Sequence, residues 1–221
     1  MILLIVPSRG RPHNARQLID TWEATTEGKS LLEFYVDNDD PTAKDYPAGF
    51  TTVGEPGRLV SITNRVANAT ANTYEVFGSI GDDHRFESAG WETALLKALD
   101  KLGGTGVVYG DDGVHGKNLC TAFFMSSNII KALGYMVYPE IEHLFADNFA
   151  LELGRKVGIK YLPDVKIIHH HPIAQKAHWD ATYEIGNNPA VWSKDEAAFN
   201  KWRKHYLERD ARKVLTWKSE N

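Results

Sequence analysis

The sequence predicts an α/β fold in which a mostly parallel central sheet carries helices on both faces. Along the first half of the chain, apolar runs bounded by turn residues alternate with amphipathic segments of helical periodicity. The first run, residues 2–6, is apolar at every position, which is typical of a strand buried on both faces. The resulting order, β-α-β-loop-α-β-α-β, favours parallel strands joined by crossover helices.

The elements of the first half follow from apolar periodicity and from turn residues. Continuous apolar runs that end at polar, glycine or proline residues predict strands at 1–6, 31–36, 74–80 and 106–109. Apolar side chains at helical spacing, such as Trp91, Leu95 and Leu99, predict helices at 14–24, 59–71 and 90–102. Residues 41–57 contain three prolines and three glycines and are predicted to form a loop.

The second half of the chain is less regular. Strands are predicted at 120–126 and 165–168, and a short helix is predicted at 128–133. A helix is predicted at 146–157 because Asp147 lies in its first turn and Gly158 follows its last residue. Residues 194–218 are predicted to be helical, and they carry eight lysines and arginines against four acidic residues. No linker separates this basic tail from the rest of the chain.

The composition is that of an ordinary globular protein. Of the 221 residues, 43% are hydrophobic and 24% are charged, which excludes the disordered, collagen-like and coiled-coil classes. The net charge of −4 argues against a surface that binds nucleic acid everywhere, although a local basic patch is compatible with it. Cys120 is the single cysteine, so no intrachain disulfide or cysteine-based zinc site is expected.

The first apolar run is too short to direct the chain into or across a membrane. It stops at Pro7, whereas an export signal needs about 7–15 apolar residues and a membrane-spanning helix about 20. The sequence therefore predicts a soluble, cytoplasmic protein without a membrane partner.

Polar residues follow each predicted strand of the first half. They are residues 8–11, 37–40, 82–84 and 111–112. Because ligands of open α/β sheets bind at the carboxyl ends of the strands, these residues are the first candidates for a functional site.

Two histidine-containing segments are candidate metal ligands. Residues 82–84 read Asp-Asp-His directly after a strand, and two carboxylates with one imidazole suit Mn²⁺ or Mg²⁺. Residues 169–171 are three histidines that end another strand, where alternation places His169 and His171 on one face. An acidic turn and a solvated histidine run are the alternative interpretations.

Other strand ends offer ligands for phosphate and for a nucleoside. Arg9 and Arg11 flank Gly10, so their guanidinium groups could bind phosphate oxygens while the backbone approaches closely. Asp37 could accept a hydrogen bond from a ribose hydroxyl or a base. Asp147, at a helix start, is a candidate general base. For each of these residues a surface, turn or capping role is the alternative.

Taken together, these motifs resemble those of glycosyltransferases with the nucleotide-diphospho-sugar (GT-A) fold, nearest to family 2, over about residues 1–175. Residues 7–11 resemble the first nucleotide-binding loop, and Asp37 resembles the acidic residue that contacts the base. Residues 82–84 resemble the Asp-x-Asp or Asp-x-His metal motif. Residues 145–147 resemble the Glu-Asp motif of the catalytic base, with Ala146 in place of the glutamate.

The chain also resembles small single-domain transferases encoded by bacteriophages. The shared stretch is His-His-His-Pro-x-x-x-Lys-x-x-x-Asp-x-x-Tyr, which here contains Lys176, Asp180 and Tyr183. This likeness raises hydroxymethylated pyrimidines in DNA as one candidate acceptor, in the host cytoplasm. The basic tail could contact a DNA backbone, whereas an ordinary charged helix packed on the core is the alternative.

The resemblance implies a metal-dependent, inverting hexosyltransferase that uses a nucleotide-diphospho-sugar, with UDP as the expected nucleotide. It implies Asp147 as the catalytic base and a divalent ion, Mn²⁺ or Mg²⁺, held by Asp82, His84, His169 and His171. The implied nucleotide-sugar-binding residues are Pro7, Ser8, Arg9, Arg11, Asp37, Asn64, Asp82, Asp83 and Lys176.

One domain is expected, with residues 1–180 as the transferase and 181–221 as its basic helical extension. Within the transferase, residues 1–105 would bind the nucleotide sugar and residues 106–180 the acceptor. The alternatives are a transferase acting on a glycan, protein or small molecule, a nucleotide-sugar-binding module without turnover, and a metallohydrolase built on the histidines.

Overall fold

The computed structural model describes residues 1–172, 179–186 and 188–220, which form an α/β fold around a central sheet. In the described residues the sheet has eight strands, in the spatial order β3-β2-β1-β4-β7-β6-β8-β5. The strands are β1 (Ile2–Ser8), β2 (Ser30–Asp37), β3 (Thr51–Gly54), β4 (Val76–Ser79), β5 (His84–Phe86), β6 (Val107–Asp111), β7 (Phe123–Ser126) and β8 (Ile159–His169).

The sheet is mixed, so the prediction of a mostly parallel sheet is only partly confirmed. Four of the seven strand pairings in the described part of the chain are parallel: β1 with β2, β1 with β4, β2 with β3, and β6 with β8. Strand β7 runs against both of its neighbours, and β5 runs against β8. The order of helices and strands along the sequence does not reveal that β5 and β7 are antiparallel to their neighbours. Whether two strands are parallel depends on which strands pair in the sheet.

Helices cover both faces of the sheet, as predicted. They are α1 (Pro12–Thr25), α2 (Leu59–Thr70), α3 (Trp91–Lys101), α4 (Ser127–Leu133), α5 (Ala146–Val157), α6 (Ala181–Gly186), α7 (Pro189–His205) and α8 (Leu207–Glu220). Side chains of β1 alternate between two cores. Leu4 packs with α1 and α3 on one face, and Leu3 packs with α2, α4, α5, α7 and α8 on the other.

Several element boundaries differ from the prediction. The segment 41–57, predicted as a loop, contains two 3₁₀ turns and the edge strand β3. The predicted strand at 165–168 is the end of the longer β8, which is irregular opposite Gly110 and Asp111. A side chain at Gly110 would place its Cβ 2.4 Å from the Val165 carbonyl oxygen, so glycine permits this close approach.

The C-terminal tail forms helices, but its long predicted helix is divided at Tyr206 into α7 and α8. The break lets both helices bury an apolar face, with Trp202 and Val214 fully inside the core. Helix α8 packs against α4 and α5. Among the described residues, no helix combines the length and the hydrophobicity that crossing a lipid bilayer requires.

Candidate active site

The carboxyl ends of β1, β2, β4, β6 and β8 lie at one edge of the sheet, because these five strands run in the same direction. The loops after β1 and β2 are hydrogen-bonded to each other, since the Gly10 amide donates to Asp40 Oδ2 at 2.8 Å. Ser8 Oγ donates to Asp82 Oδ2 at 2.5 Å, which joins the end of β1 to the loop after β4. The polar residues after the predicted strands therefore lie together.

Asp83, His84 and His169 form the candidate metal centre. Strand β5 pairs antiparallel with β8, and this register places His84 opposite His169. The two imidazole rings stack with centroids 4.3 Å apart. The potential ligand atoms of the three side chains all lie within 4.8 Å of one another. In the described part of the chain, this is the group whose geometry could hold a metal ion.

The chemistry of this centre fits a divalent cation. Burial alone would raise the pKa of Asp83, but hydrogen bonds and charge from His169 and His84 hold it well below its usual range. Burial lowers the pKa of His84, which favours the neutral imidazole that binds metals. His169 Nδ1 is buried and has no hydrogen-bond partner among the described residues. The carboxylate oxygen is a ligand type that suits Mn²⁺, and the imidazole nitrogens are ligands of divalent transition metals in general.

Asp82 and His171, also predicted as metal ligands, lie beside this centre. Asp82 accepts from Ser8, from Asn14 Nδ2 at 3.3 Å and from Arg11 Nη1 at 3.4 Å. Burial and the neighbouring Asp83 raise the pKa of Asp82. The His171 ring centroid lies 5.1 Å from that of His169. Burial lowers the pKa of His171 to about 4. Ligand roles for Asp82 and His171 stay predictions.

The predicted base-binding residues contact each other at the ends of β1 and β2. Arg9 Nη1 donates to Asp37 Oδ2 at 2.9 Å and also pairs with Asp39. Asp37 Oδ1 accepts from the Gly57 amide at 3.1 Å. Pro7 lies within β1, one residue before Ser8. Binding of a nucleoside by these residues stays a prediction.

Arg11 occupies the centre of a buried network. Its Nε and Nη2 donate to Asp180 at 2.8 and 2.5 Å, and its guanidinium carbon lies 3.8 Å from the centre of the Tyr183 ring. The Tyr183 hydroxyl donates to Asp83 Oδ2 at 2.7 Å. The predicted phosphate ligand Arg11 is therefore connected to the candidate metal centre through Tyr183.

Of the two remaining predicted nucleotide-sugar ligands, Asn64 lies among the described residues and Lys176 does not. The side-chain amide of Asn64 in α2 bonds the backbone of Met136 and Val137 at 2.8–2.9 Å, which attaches α2 to the segment after α4. Lys176 lies outside the described residues. Neither of the predicted ligand roles is tested by these contacts.

Asp147, the predicted base, lies in the first turn of α5. Its Oδ1 accepts from the Asn148 amide at 2.8 Å, and burial raises the pKa of its carboxyl group. Phe145, the residue at the helix start, has a φ of 65°, a backbone conformation that is unfavourable for residues other than glycine. Phe145 stacks on Phe199 at 5.6 Å between ring centroids, so α7 helps to hold this conformation.

The segment before Phe145 is held by Asp195, a fully buried residue of α7. The Asp195 carboxylate accepts from the backbone amides of residues 142, 143 and 144 at 2.7–2.9 Å. A carboxylate surrounded by three backbone donors needs no cation partner. Asp195 thus fixes the approach of the chain to the helix that carries Asp147.

We expect Asp195→Ala to lower the free energy of unfolding by about 3 kcal/mol, because three buried amides lose a charged acceptor. For a chain of this size, that loss corresponds to a fall in Tm of about 6–12 °C. Calorimetry or circular dichroism would measure it. Glu196→Ala, at the exposed neighbouring position, should change stability by no more than about 0.5 kcal/mol. Equal effects of both substitutions would contradict this role of Asp195.

Asp112, one of the polar strand-end residues, forms a further polar cluster with His115 and Thr121, which were not predicted as site residues. Buried Asp112 accepts from His115 Nδ1 at 2.9 Å and from Thr121 Oγ1 at 3.0 Å. Thr121 Oγ1 lies 3.5 Å from His84 Nε2, and the His169 amide donates to the Asp112 carbonyl. The position of residues 111–112 directly after a strand was the sequence signal for this cluster. The hydrogen bond between Asp112 and His115 depends on the conformation of the following loop, which the sequence pattern does not show.

Comparison with solved structures identifies the fold. The chain superposes on the mannosyltransferase PcManGT from Pyrobaculum calidifontis, solved with GDP-Man and Mn²⁺, with a TM-score of 0.54 and 12% identity, over 98% of this chain and 73% of that one. It superposes on glucosyl-3-phosphoglycerate synthase from Mycobacterium tuberculosis, solved with Mn²⁺, UDP-glucose and phosphoglyceric acid, with a TM-score of 0.59 and 14% identity, over 90% and 78%.

A third similar structure is S. aureus TarS, with a TM-score of 0.53 and 12% identity, over 93% of this chain and 44% of that one. No protein-family model matches the sequence. No curated protein matches it either. The fold is therefore that of the GT-A-like nucleotide-diphospho-sugar transferases, and at this identity the likeness establishes the fold alone.

Proposed function

We propose that the chain is a metal-dependent, inverting glycosyltransferase that moves a hexosyl group from a nucleotide-diphospho-sugar, most simply a UDP-sugar, to an acceptor hydroxyl. The observation that carries this proposal is the cluster of Asp83, His84 and His169 at the edge of the sheet where the strand ends meet. In folds of this kind, ligands bind at that edge.

Asp83, His84 and His169 would hold Mn²⁺ or Mg²⁺, with Asp82 and His171 as the neighbouring candidates from the sequence. When bound, the ion would neutralise negative charge that develops on the leaving diphosphate. Arg9 and Asp37 would orient the nucleoside at the ends of β1 and β2. Ser8 and Arg11, which contact Asp82, would face the diphosphate.

Asp147 would take the proton from the acceptor hydroxyl as its oxygen attacks the anomeric carbon. That carbon then exchanges its bond to the nucleotide for a bond to the acceptor in one displacement, which inverts its configuration. The raised pKa of Asp147 supports this role, because a base is most effective when its pKa lies near the working pH.

The test of donor binding is a thermal-shift panel of nucleotides and nucleotide sugars with and without Mn²⁺. A ligand at about 100 times its Kd stabilises the protein by about 2.7 kcal/mol. For this chain length, the expected rise in Tm is about 5–10 °C. The rise should require both a nucleoside diphosphate and the ion. A panel in which no nucleotide raises Tm would contradict the proposal.

Ala146 favours a second candidate, a nucleotide-sugar-binding module without turnover, because the resemblance implies a glutamate beside the base. The histidine cluster also allows hydrolysis of the donor. Product analysis after incubation with donor, Mn²⁺ and acceptor separates the three functions. Transfer yields a glycosylated acceptor, hydrolysis yields free sugar, and a binding module yields neither.

DNA that contains hydroxymethylated pyrimidines is the acceptor that we propose first. Exposed cations lie on α7 and α8, among them Arg203, Lys204, Arg212 and Lys213. Trp202 is fully buried, so this tryptophan packs in the core, as the alternative interpretation of the tail expected. The support for DNA is therefore electrostatic.

Charge reversal at Arg203, Lys204, Arg212 and Lys213 should weaken DNA binding and flatten its dependence on salt, because fewer counterions are released. Fluorescence anisotropy with a labelled duplex between 50 and about 200 mM salt would measure both effects. Lys97→Glu with Lys101→Glu, on exposed positions of α3, is the control. If the wild-type protein does not bind DNA at low salt, DNA is not the acceptor.

A further inference from the structure

The turn around α6 contacts the candidate active site, but its residues have no role in the transfer reaction as proposed above. This turn contains Asp180, which bonds Arg11, and Tyr183, which bonds Asp83. In the sequence the two residues are three positions apart, so one helical turn presents both to the same region. Tyr183 lies 100 positions from Asp83 along the chain, so only the fold brings this turn to the candidate metal centre.

We propose that Tyr183 is a positioning residue for the divalent ion, whose hydroxyl fixes the carboxylate of Asp83, and that Asp180 keeps Tyr183 in place through Arg11. This inference rests on the proposed metal-dependent function. It adds residues that do not bind the ion themselves but hold one of its ligands in place.

The hydrogen bonds of Asp83 show what Tyr183 would fix. Asp83 Oδ2 accepts from the Tyr183 hydroxyl at 2.7 Å and lies 3.2 Å from His169 Nε2. Asp83 Oδ1 lies 3.5 Å from His84 Nδ1. A carboxylate can rotate about its terminal bond. With one oxygen bonded to a fixed hydroxyl, rotation is restricted and the oxygens stay directed at the two histidines.

Tyr183 can fix a neighbour because its own ring is immobilised. The residue is 8% exposed. The His171 ring packs edge-on against it at 4.8 Å, and the Arg11 guanidinium lies over it at 3.8 Å. A hydroxyl on a ring held from two directions has little positional freedom, as the residues that orient metal ligands require.

Asp180 acts on this ring in two ways. Its Oδ1 accepts from the Tyr183 amide at 3.0 Å, which sets the backbone of the turn, and its carboxylate binds two nitrogens of Arg11. The Arg11 side chain is only 6% exposed, and its ion pairs with Asp180 and Asp82 offset the cost of burying its charge. Thr182 Oγ1 also donates to the Arg9 carbonyl at 3.1 Å and attaches the same turn to the loop after β1.

Tyr183→Phe tests the proposal because it removes the hydroxyl and keeps the ring. We expect the Kd for Mn²⁺ alone, measured by calorimetric titration without nucleotide, to rise by about 10–100-fold. The matched control is Tyr138→Phe, which removes a hydroxyl that bonds the carboxylate of Glu140. This control should bind Mn²⁺ like the wild type, and circular dichroism should show all three proteins folded.

Asp180→Asn supplies a second measurement. It should weaken Mn²⁺ binding less than Tyr183→Phe does, because the ring keeps its other contacts. The double variant should bind no more weakly than Tyr183→Phe alone, since both residues act through one hydroxyl. Fully additive losses would overturn the proposed connection between Asp180 and Tyr183.

The outcomes distinguish this inference from the proposed function. If the wild type and Tyr183→Phe bind Mn²⁺ equally well, the metal centre is supported and the positioning role is overturned. If the wild type binds no Mn²⁺, the metal-dependent function and the positioning role are both overturned. Weaker binding in Tyr183→Phe with an unchanged Tyr138→Phe supports both.

Discussion

Asp147→Asn is expected to lower kcat by about 10²–10⁴-fold and to leave donor affinity within a few-fold of the wild type. A general base acts only as the acceptor proton is transferred, so its loss affects the transition state and not the bound donor. Asparagine has nearly the same shape and keeps an oxygen that can accept from the Asn148 amide, as Asp147 Oδ1 does at 2.8 Å. Folding should therefore survive the substitution.

The pH dependence provides an independent measurement of the same role. A base must be ionised, so kcat should fall as the pH drops through the pKa of Asp147. Burial raises this pKa, which places the fall above the range of an ordinary aspartate. Asp100→Asn, at an exposed position of α3, is the control and should change neither kcat nor its pH profile. A product that retains the anomeric configuration of the donor would contradict the base role.

Removal of the divalent ion is expected to reduce turnover by at least about 10³-fold, because charge neutralisation on the leaving group contributes several kcal/mol. Excess EDTA should stop the reaction, and added Mn²⁺ should restore it. His169→Ala should produce the same loss of turnover together with loss of Mn²⁺ binding. Undiminished turnover in excess EDTA would exclude a role for the ion.

Paired substitutions decide which aspartate binds the ion. Asp83→Ala should abolish Mn²⁺ binding, because Asp83 lies with His84 and His169. Asp82→Ala should abolish turnover as well. In the wild type, Asp82 is hydrogen-bonded to Ser8 and Asn14. We therefore expect the Asp82→Ala variant to retain much of the wild-type affinity for Mn²⁺. Calorimetric titration of both variants measures the difference. The opposite order of affinities would assign the ligand role to Asp82.

Local sequence patterns were sufficient to predict the five helices α1 to α5. The helix at 146–157 is confirmed at both ends because its boundaries depend on local signals, an acidic first turn and Gly158 after the last residue. The clustering of polar strand ends followed from strand direction alone. The mixed sheet does not disturb this clustering. Of the two reversed strands, β7 carries none of the predicted ligands, and β5 begins at His84, opposite the last residue of β8, His169.

Contacts between distant segments could not be predicted in the same way. The position of His169 beside His84 depends on the antiparallel pairing of β5 with β8. The bond between Tyr183 and Asp83 depends on the path of the chain after β8. The division of the tail at Tyr206 accompanies the burial of Trp202 in α7 and of Val214 in α8. Each feature depends on tertiary packing, which periodicity along the sequence does not encode.

The pairing of β5 also has a consequence for the order in which the protein is assembled. Strands β1, β2, β3 and β4 can pair as soon as residues 1–79 have been synthesised. In the described part of the chain, β5 pairs with β8 alone, so His84 must wait for residues up to His169. At about 5–20 residues per second, ribosomal synthesis of that interval takes several seconds. During this time β6 and β7 can join the sheet, but the edge of β6 that pairs with β8 stays open. Chaperone capture of nascent chains should therefore be greatest for chains that end before β8.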